Sequence, residues 1–404
     1  MSRFFAGLFA VAALLGLVFA SLSTSDFVQH LDRQVHSVHC SFVPGLPATT
    51  DAASGCHVAL MSPYSSVFRS WFWGGLPVAL PGVAVFAFLL FRGIELWVAR
   101  GLRDRQAALF LFAATLVPVF TSVFFGVIAI FELDTFCRTC AGIYLSSFVA
   151  LGASIGLVVT SWNADVDAEG EPAPPADHPA ITWGVGLLEY GAFVLVPIVL
   201  YILVVPDNSG FVGQCGSLPK PDDPNHVLVP IGSHRGGKQA VEVFDPLCPA
   251  CRGFEARLAS SGLDQQLDRK ALLFPLDDKC NWMIDSAIHP GACTISEAIL
   301  CADERSQEVI DWAFEHQEDI RTAAAADEDA AKRMVVAAFP SVAKCVGSPS
   351  ARQRLNRSLR WAVSNQLPVL TPQLYVEGEK LCDEDTDLGL DYALSQMLAR
   401  GGAR

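Results

Sequence analysis

The sequence AVEVFDPLCPAC at Ala240–Cys251 decides the fold of the C-terminal half of the chain. Its opening residues, Ala240–Phe244, alternate in polarity and are rich in residues that favour β-strands, which predicts a half-buried strand. Asp245–Leu247 ends that strand, and Cys248 begins a helix within a Cys-x-x-Cys motif. A thiol at a helix N-terminus is favoured as the thiolate by the helix dipole and by free N–H groups. We therefore predict that Cys248 is an exposed nucleophile and Cys251 its resolving thiol.

The chain after this helix alternates between strand and helix patterns. The predicted elements are a strand at Ala271–Leu276, a mostly helical stretch at Trp282–Gln366, a strand at Thr371–Val376, a turn at Glu377–Glu379 and a closing helix at Leu388–Leu398. This order resembles the thioredoxin fold, in the DsbA-like branch that carries a helical insertion. The resemblance runs from about Val227 to the C-terminus. It implies that Pro372, preceded by Thr371, is a cis proline beside the active disulfide.

The Cys-x-x-Cys motif has two other interpretations, a structural disulfide and half of a zinc site. A zinc site needs a second Cys/His pair at suitable spacing, and the other cysteines here qualify only by number, so we predict no metal ligand. Four cysteines within the insertion allow three pairings. Within the insertion we favour the pairings Cys280–Cys293 and Cys301–Cys345. For the two cysteines outside it we favour Cys215–Cys382.

The composition indicates a membrane protein with a soluble domain. Hydrophobic residues make up 51% of the 404 residues and charged residues only 17%, and the apolar windows lie in the first half. The net charge of −14 comes without a basic stripe that could displace counterions, which argues against nucleic acid as a partner. In a membrane protein with an external domain, the twelve cysteines are expected mostly in disulfides.

Five apolar stretches approach or exceed the ~20 residues that cross a bilayer. Their predicted bounds are Phe4–Leu22, Leu76–Val98, Ala107–Phe131, Ala141–Trp162 and Trp183–Val205. The first stretch has a second interpretation, a cleaved signal peptide, because Arg3 supplies a short positive start. Val18–Ala20 is a poor cleavage site, which favours a retained span. In both cases the chain after it emerges outside the cytosol.

Orientation follows from the basic residues in short loops. The loop Arg100–Arg105 is rich in arginine and is predicted to face the cytosol. By parity, the Pro- and Asp/Glu-rich linker Asn163–Ala180 is cytosolic, and everything after Pro206 is external. All twelve cysteines then lie on the external side. The predicted domains are a transmembrane bundle at 1–162, a linker, fifth span and tether at 163–224, and the thioredoxin-like domain at 225–404.

Two further cysteine pairs belong to the apolar half. Cys40 and Cys56 lie in the first external loop, and Cys137 and Cys140 form a Cys-x-x-Cys motif where an external turn meets the fourth span. A helix start at the lipid boundary is suited to a reactive thiolate that meets a hydrophobic oxidant. An aromatic-rich helix end precedes this motif, and ordinary packing or lipid contact is the more frequent role for its members, Phe120, Phe124, Phe125, Phe131 and Phe136.

These residues resemble the vitamin K epoxide reductase family over about Ser2–Trp162. That family has four spans, a loop with two cysteines after the first and a Cys-x-x-Cys at the fourth. Ser62 follows Cys56 by six residues and Tyr144 follows Cys140 by four, as in the family pattern. The gap between the loop cysteines, with Pro44, Gly45 and Pro47, is longer than is usual in the family. Bacterial members are often fused through a fifth span to a thioredoxin-like domain, and this chain has that layout.

The resemblance implies a path for electrons. Cys248 and Cys251 take electrons from substrate thiols, Cys40 exchanges with that domain, Cys56 relays to Cys137, and Cys140 faces a quinone, either ubiquinone or menaquinone. Ser62 and Tyr144 would lie near the quinone ring. A local turn hydroxyl for Ser62 and an interfacial anchor for Tyr144 are equally open interpretations.

The predicted architecture is a membrane all-α four-helix bundle plus a fifth span, followed by a soluble α/β thioredoxin-like domain with a helical insertion. The predicted function is a quinone-linked thiol–disulfide oxidoreductase that drives disulfide formation in exported proteins. It would be a multi-pass protein of the bacterial inner membrane with its C-terminal domain outside. Its partners would be reduced exported proteins, membrane lipid and quinone. The alternatives are a disulfide reductase or isomerase on the same scaffold and a membrane-anchored metal-binding protein.

Overall fold

The computed structural model describes residues 2–34, 36–43, 49, 54–98, 104–162, 179–232, 234 and 236–400. They form two units, Met1–Pro206 and Asp207–Arg404. Three predicted features lie wholly or partly outside the described residues: the cytosolic loop at 100–103, the linker at 163–178 and the proline- and glycine-containing gap at 44–48. The three-part division at 162 and 224 stays a prediction.

Five long helices make up most of the first unit, with one short helix, α2, in the loop after the first. Their bounds are α1 Ser2–Gln29, α2 Gly55–Met61, α3 Ala79–Val98, α4 Arg105–Phe131, α5 Arg138–Trp162 and α6 Pro179–Val204. The five long ones are long and apolar enough to cross a membrane, so the five predicted spans are confirmed. The bound of the second is wrong at its start, because Leu76 and Pro77 form a short strand and the helix begins at Ala79. The chain is a membrane protein.

The helix α1 packs against both α3 and α5, α4 packs on α5, and α6 packs on α3 and α4. Lipid tails are as apolar as the helices, so association depends on close packing rather than on hydrophobicity. Phe9 and Ala13 of α1 are fully buried among the other helices. The helix α1 therefore supplies part of the core of the bundle.

The second unit contains a five-stranded sheet in the order β3-β5-β4-β6-β7, with strands at β3 Val229–Pro230, β4 Lys238–Phe244, β5 Leu267–Leu273, β6 Gln373–Val376 and β7 Glu379–Lys380. A two-stranded hairpin, β1 Ser66–Val67 and β2 Leu76–Pro77, belongs to the first unit. In the larger sheet β4 and β5 are parallel, and the other neighbours are antiparallel. A parallel strand pair joined by a helix, then an antiparallel hairpin beside the first strand, is the thioredoxin arrangement.

Seven helices surround that sheet, at α7 Pro249–Ser261, α8 Ala292–Ala302, α9 Ser306–Glu315, α10 Gln317–Ala326, α11 Ala330–Ala338, α12 Pro349–Ser364 and α13 Leu390–Arg400. The helix α7 connects β4 to β5, and α8–α12 lie between β5 and β6 in the chain. The predicted thioredoxin-like domain with a helical insertion is therefore confirmed.

Several predicted boundaries in this domain are wrong. The second strand begins at Leu267 rather than Ala271 and ends at Leu273, because it pairs with the whole of β4. The helical stretch begins at Ala292 rather than Trp282. The preceding residues form a loop that is held by the buried carboxylate of Asp277, which accepts hydrogen bonds from the backbone of Gly291 at 3.0 Å and of the residue two further on.

Three disulfides cross-link the second unit. The three favoured pairings, Cys215–Cys382, Cys280–Cys293 and Cys301–Cys345, are all formed. They leave Cys248 and Cys251 as free thiols within this domain. The cysteines that remain available for exchange are thus the Cys-x-x-Cys pair that the sequence singled out.

Candidate redox sites

Cys248 is the N-cap of α7, and Pro249 is the first residue of that helix. The prediction that Cys248 is exposed is wrong, since only 5% of its surface is accessible. Its Sγ lies 3.8 Å from the carbonyl oxygen of Thr371, and its own carbonyl accepts a hydrogen bond from the Gln317 side chain at 3.0 Å. The loop before β6 therefore lies against the thiol, and α10 is bonded to the backbone of the same residue.

The two thiols differ in acidity. The hydrogen bond from Cys251, helped by one from Thr371, lowers the pKa of Cys248 to about 6, although burial opposes this change. Complete burial raises the pKa of Cys251 well above the ordinary thiol value. The exchange reaction needs a thiolate as the attacking group. This asymmetry favours Cys248 as the nucleophile and Cys251 as the resolving thiol.

The Thr371–Pro372 peptide bond is cis, as the resemblance implied. Both residues are buried, and the Thr371 carbonyl faces the Cys248 sulfur. The predicted cis bond is therefore observed, and the residue before Pro372 contacts the Cys248 thiol. Its role in the reaction stays a prediction.

Sequence reasoning missed a buried ion pair at the end of β4. Asp245 accepts hydrogen bonds from His289 Nδ1 at 2.8 Å and from the backbone N–H of Leu247 and Leu276, both at 2.7 Å. Burial alone would lower the pKa of His289, but the hydrogen bond and the charge of Asp245 raise it. The carboxylate thus fixes the turn that leads into Cys248. The available signal is a carboxylate three residues before a cysteine, a position that in the sequence indicates only the end of the strand.

A second missed cluster joins β4, α7 and β5. Arg269 bonds to both Glu242 and Glu255. Burial, followed by the charge of Glu242, raises the pKa of Glu255 to about 8. A guanidinium between two carboxylates explains how a charged residue is accommodated in the buried part of β5.

The membrane unit holds two disulfides at one end of the bundle. Cys40 and Cys56 are bonded with a Cα–Cα distance of 5.5 Å, and Cys137 and Cys140 with one of 5.2 Å. Ser54 caps α2 by accepting a hydrogen bond from the third following residue, which starts the short helix that carries Cys56. Both predicted membrane pairs are therefore formed.

Thr139 connects the two disulfides. Its Oγ1 lies 4.0 Å from the sulfur of Cys56 and donates a 2.6 Å hydrogen bond to the carbonyl of His39, the residue before Cys40. Gly55 permits this approach, because a Cβ at that position would overlap the carbonyl of Phe136. The residue between the helix cysteines thus contacts the loop that carries the other pair.

A cavity of about 200 Å³ opens beside both pairs. It is lined mainly by apolar residues from α1, α3, α4 and α5, and the functional candidates on its wall are Cys56, Ser62, Cys137, Cys140 and Tyr144. Of the five phenylalanines noted in the sequence, Phe125 lines the cavity, while the other four are more than 60% exposed. Ser62 donates to the Ala59 carbonyl at 2.8 Å, so it is both a local turn hydroxyl and part of the wall.

The cavity wall also includes a carboxylate–imidazole pair that sequence reasoning missed. Asp26, in the last part of α1, accepts hydrogen bonds from His39 through both the backbone N–H at 2.8 Å and Nδ1 at 2.6 Å. Both residues face the cavity. The signals were an aspartate shortly after the first apolar stretch and a histidine next to Cys40.

Residues 8–155 match the model of the Vitamin K epoxide reductase family. This matched range is less than half of the chain, and over it the chain is similar to that family. The family resemblance carried by the loop and helix cysteines is thereby confirmed. A search of curated proteins gave no match. The chain is a thiol–disulfide oxidoreductase.

A solved structure is similar to part of the chain. The oxidoreductase NmDsbA1 from N. meningitidis is similar at 14% identity, over 44% of this chain and 93% of its own length, with a TM-score of 0.29. We base the thioredoxin-like assignment on the strand order and on the cis proline rather than on this likeness.

Proposed function

We propose that this protein is a quinone-linked oxidase of the vitamin K epoxide reductase family that drives disulfide formation in exported proteins. The observation that carries the proposal is the apolar cavity, which is walled by three of the four membrane-unit cysteines, Cys56, Cys137 and Cys140. A fat-soluble acceptor of two electrons fits such a cavity, because apolar walls with a few polar groups are typical of small-molecule sites. Ubiquinone and menaquinone both have this chemistry.

The proposed order of exchange begins at the thioredoxin-like domain. Cys248 attacks as a thiolate and Cys251 resolves, so the domain accepts two electrons from reduced exported proteins. Cys40 then exchanges with the domain, and Cys56 passes the electrons to Cys137, with Cys140 facing the quinone. The Thr139 contact supports the last transfer, since it brings the Cys56 sulfur against the segment between the helix cysteines.

The acidity of Cys248 supports the oxidising direction. A pKa of about 6 stabilises the dithiol form of the pair through its thiolate. A domain with a stabilised reduced form tends to give up its disulfide to other thiols. This property favours the oxidase over the reductase or isomerase alternative. We place the domain outside the inner membrane, following the arginine-rich loop.

The quinone ring would be held by Tyr144 and the surrounding apolar wall. Ser62 would contribute through its oxygen, because its proton is already donated to the Ala59 carbonyl. In the described residues, one group has side chains close enough to hold a metal ion, and it consists of Cys215, Cys382 and Glu384. It gives little support to the metal-binding alternative, because its two cysteines form a disulfide and are not free thiolates.

A single substitution tests this function. The Cys140→Ala protein, purified in detergent, is expected to lose quinone reduction driven by a reduced unfolded substrate, because the sulfur that faces the quinone is gone. The absorbance of the quinone is the measurement. Exchange of Cys248 and Cys251 with a small dithiol is the internal control and is expected to be unchanged. Quinone turnover that survives in this variant would show that the order of exchange is wrong.

A further inference from the structure

The carboxylate–imidazole pair on the cavity wall has the geometry of a proton-transfer site. Asp26 is almost fully buried on a helix that crosses the membrane, whereas the His39 side chain is 30% exposed. Ionisable groups within membrane spans are costly, and they are retained where they have a function. The pair also lies next to both disulfides of the membrane unit. His39 precedes Cys40, and its carbonyl accepts the hydrogen bond of Thr139, which lies between Cys137 and Cys140.

The hydrogen bonds fix which imidazole nitrogen can take a proton. The Asp26 carboxylate accepts from Nδ1 of His39, so this nitrogen carries the hydrogen. The other nitrogen, Nε2, then has the free lone pair, as in a histidine oriented by an aspartate for general-base work. A second bond, from the His39 backbone N–H to the same carboxylate, holds the loop against α1.

We propose that His39, oriented by Asp26, is the proton-transfer residue of the membrane unit. This proposal rests on the proposed function. When the thiols of Cys40 and Cys56 form their disulfide, two electrons and two protons leave the pair. The electrons pass to the helix disulfide, whose S–S bond breaks, and then to a quinone, which takes up two electrons and two protons as hydroquinone. In each of the two exchange steps, His39 takes the proton from the attacking loop thiol and gives it to the helix thiolate that is released, so both protons reach the Cys137–Cys140 dithiol and leave it with the two electrons for the quinone.

The same loop offers a matched control. His36 also binds an aspartate, with its Nε2 at 2.8 Å from both carboxylate oxygens of Asp32. That pair is more exposed and does not line the cavity. His36→Gln therefore removes an imidazole–carboxylate pair from the loop without touching the proposed proton path.

The test measures two rates in the purified full-length chain. One is quinone reduction, and the other is reduction of the Cys137–Cys140 disulfide by dithiothreitol, followed by acid quench and thiol labelling. In His39→Gln both rates are expected to fall about 10²-fold, the lower range for general acid–base catalysis, with the KM for quinone unchanged. His36→Gln is expected to stay within about twofold of the wild type, since it lies off the proton path. Labelling of Cys40 and Cys56 confirms that their disulfide still forms.

Chemical rescue separates proton transfer from a structural role. In His39→Gly, added imidazole is expected to restore most of both rates, because the site is partly open to solvent. Wild-type rates in His39→Gln, or a slowed variant that imidazole does not restore, would overturn the proposal. Absence of quinone reduction in the wild type would instead refute the proposed function, and the dithiothreitol-driven rate would still decide the role of His39.

Discussion

The two free thiols of the soluble unit differ in acidity because different atoms surround each sulfur. Cys248 and Cys251 occupy the same helical turn, but one is stabilised as the thiolate by hydrogen bonds and the other is enclosed by apolar packing. Asp245 works against the Cys248 thiolate through its charge, and its bond to His289 pairs that charge. The acidity of the nucleophile therefore results from the cap of α7 and the residues that cover it.

The pH dependence of alkylation tests this assignment. The folded pKa of Cys248 is about 6, below the ordinary thiol value of 9.0, so the thiolate fraction rises as the pH increases through 6. We expect the rate of iodoacetamide labelling to rise with a midpoint near pH 6 and then stay level to pH 9. In Cys251→Ala the midpoint is expected to move upward, because the largest stabilising hydrogen bond is lost. A midpoint near 9 in the wild type would contradict the assignment.

Helices of the membrane unit interlock through glycine and phenylalanine. Gly93 of α3 faces the fully buried ring of Phe9 on α1, and a Cβ at that glycine would lie 2.9 Å from the ring. Gly156 of α5 faces Phe5 of the same helix α1 in the same way. Helices in lipid gain stability from such close approach of their backbones. The bundle that holds the cavity therefore depends on glycines far from the cysteines.

The substitution Gly93→Ala tests this packing. The added methyl group forces the buried Phe9 ring to move, and overpacking of this kind costs ~1–3 kcal/mol. We expect a lower melting temperature of the protein in detergent, measured by differential scanning fluorimetry. Gly152→Ala on α5 is the control, because no atom lies within 4 Å of its added Cβ. A melting temperature in Gly93→Ala equal to that of the control would refute the packing argument.

Long apolar runs and the cysteine motifs could be predicted because each is a local signal. The spans follow from length alone, and the Cys248 motif with Pro372 identifies the soluble fold. The start of β5 was missed because Arg269 argues against burial until its two carboxylate partners, on β4 and α7, are known. Asp26 and His39 were missed for a similar reason, since they are 13 residues apart and meet only when the loop folds back onto α1.

Under the proposed function, the two units of the chain have different tasks. Thiol–disulfide exchange is a contact reaction between sulfurs, so a soluble domain suited to protein substrates cannot itself reach an acceptor dissolved in lipid. The membrane unit would supply that access through the apolar cavity beside its disulfides. The soluble unit supplies an acidic thiol at a helix start. Under the proposed function, neither unit alone couples protein oxidation to quinone reduction.

The double substitution Cys248→Ser/Cys251→Ser separates the two units. We expect quinone reduction driven by a reduced unfolded protein to fall to background, because that substrate enters through the soluble pair. Quinone reduction driven by dithiothreitol is expected to persist, since a small dithiol reaches the Cys40–Cys56 disulfide directly. Quinone absorbance in purified full-length protein measures both rates.

The matched control removes a disulfide that takes no part in the proposed exchange. Cys301→Ser/Cys345→Ser deletes the bond between α8 and the segment before α12 and is expected to keep both rates within about twofold. A disulfide that closes a loop of this size mainly restricts the unfolded chain, so its loss lowers the free energy of unfolding by ~2–4 kcal/mol. It is not expected to lower the activity. Protein-driven turnover that persists without Cys248 and Cys251 would mean that exported proteins reduce the membrane unit directly, and the soluble unit would then have another task.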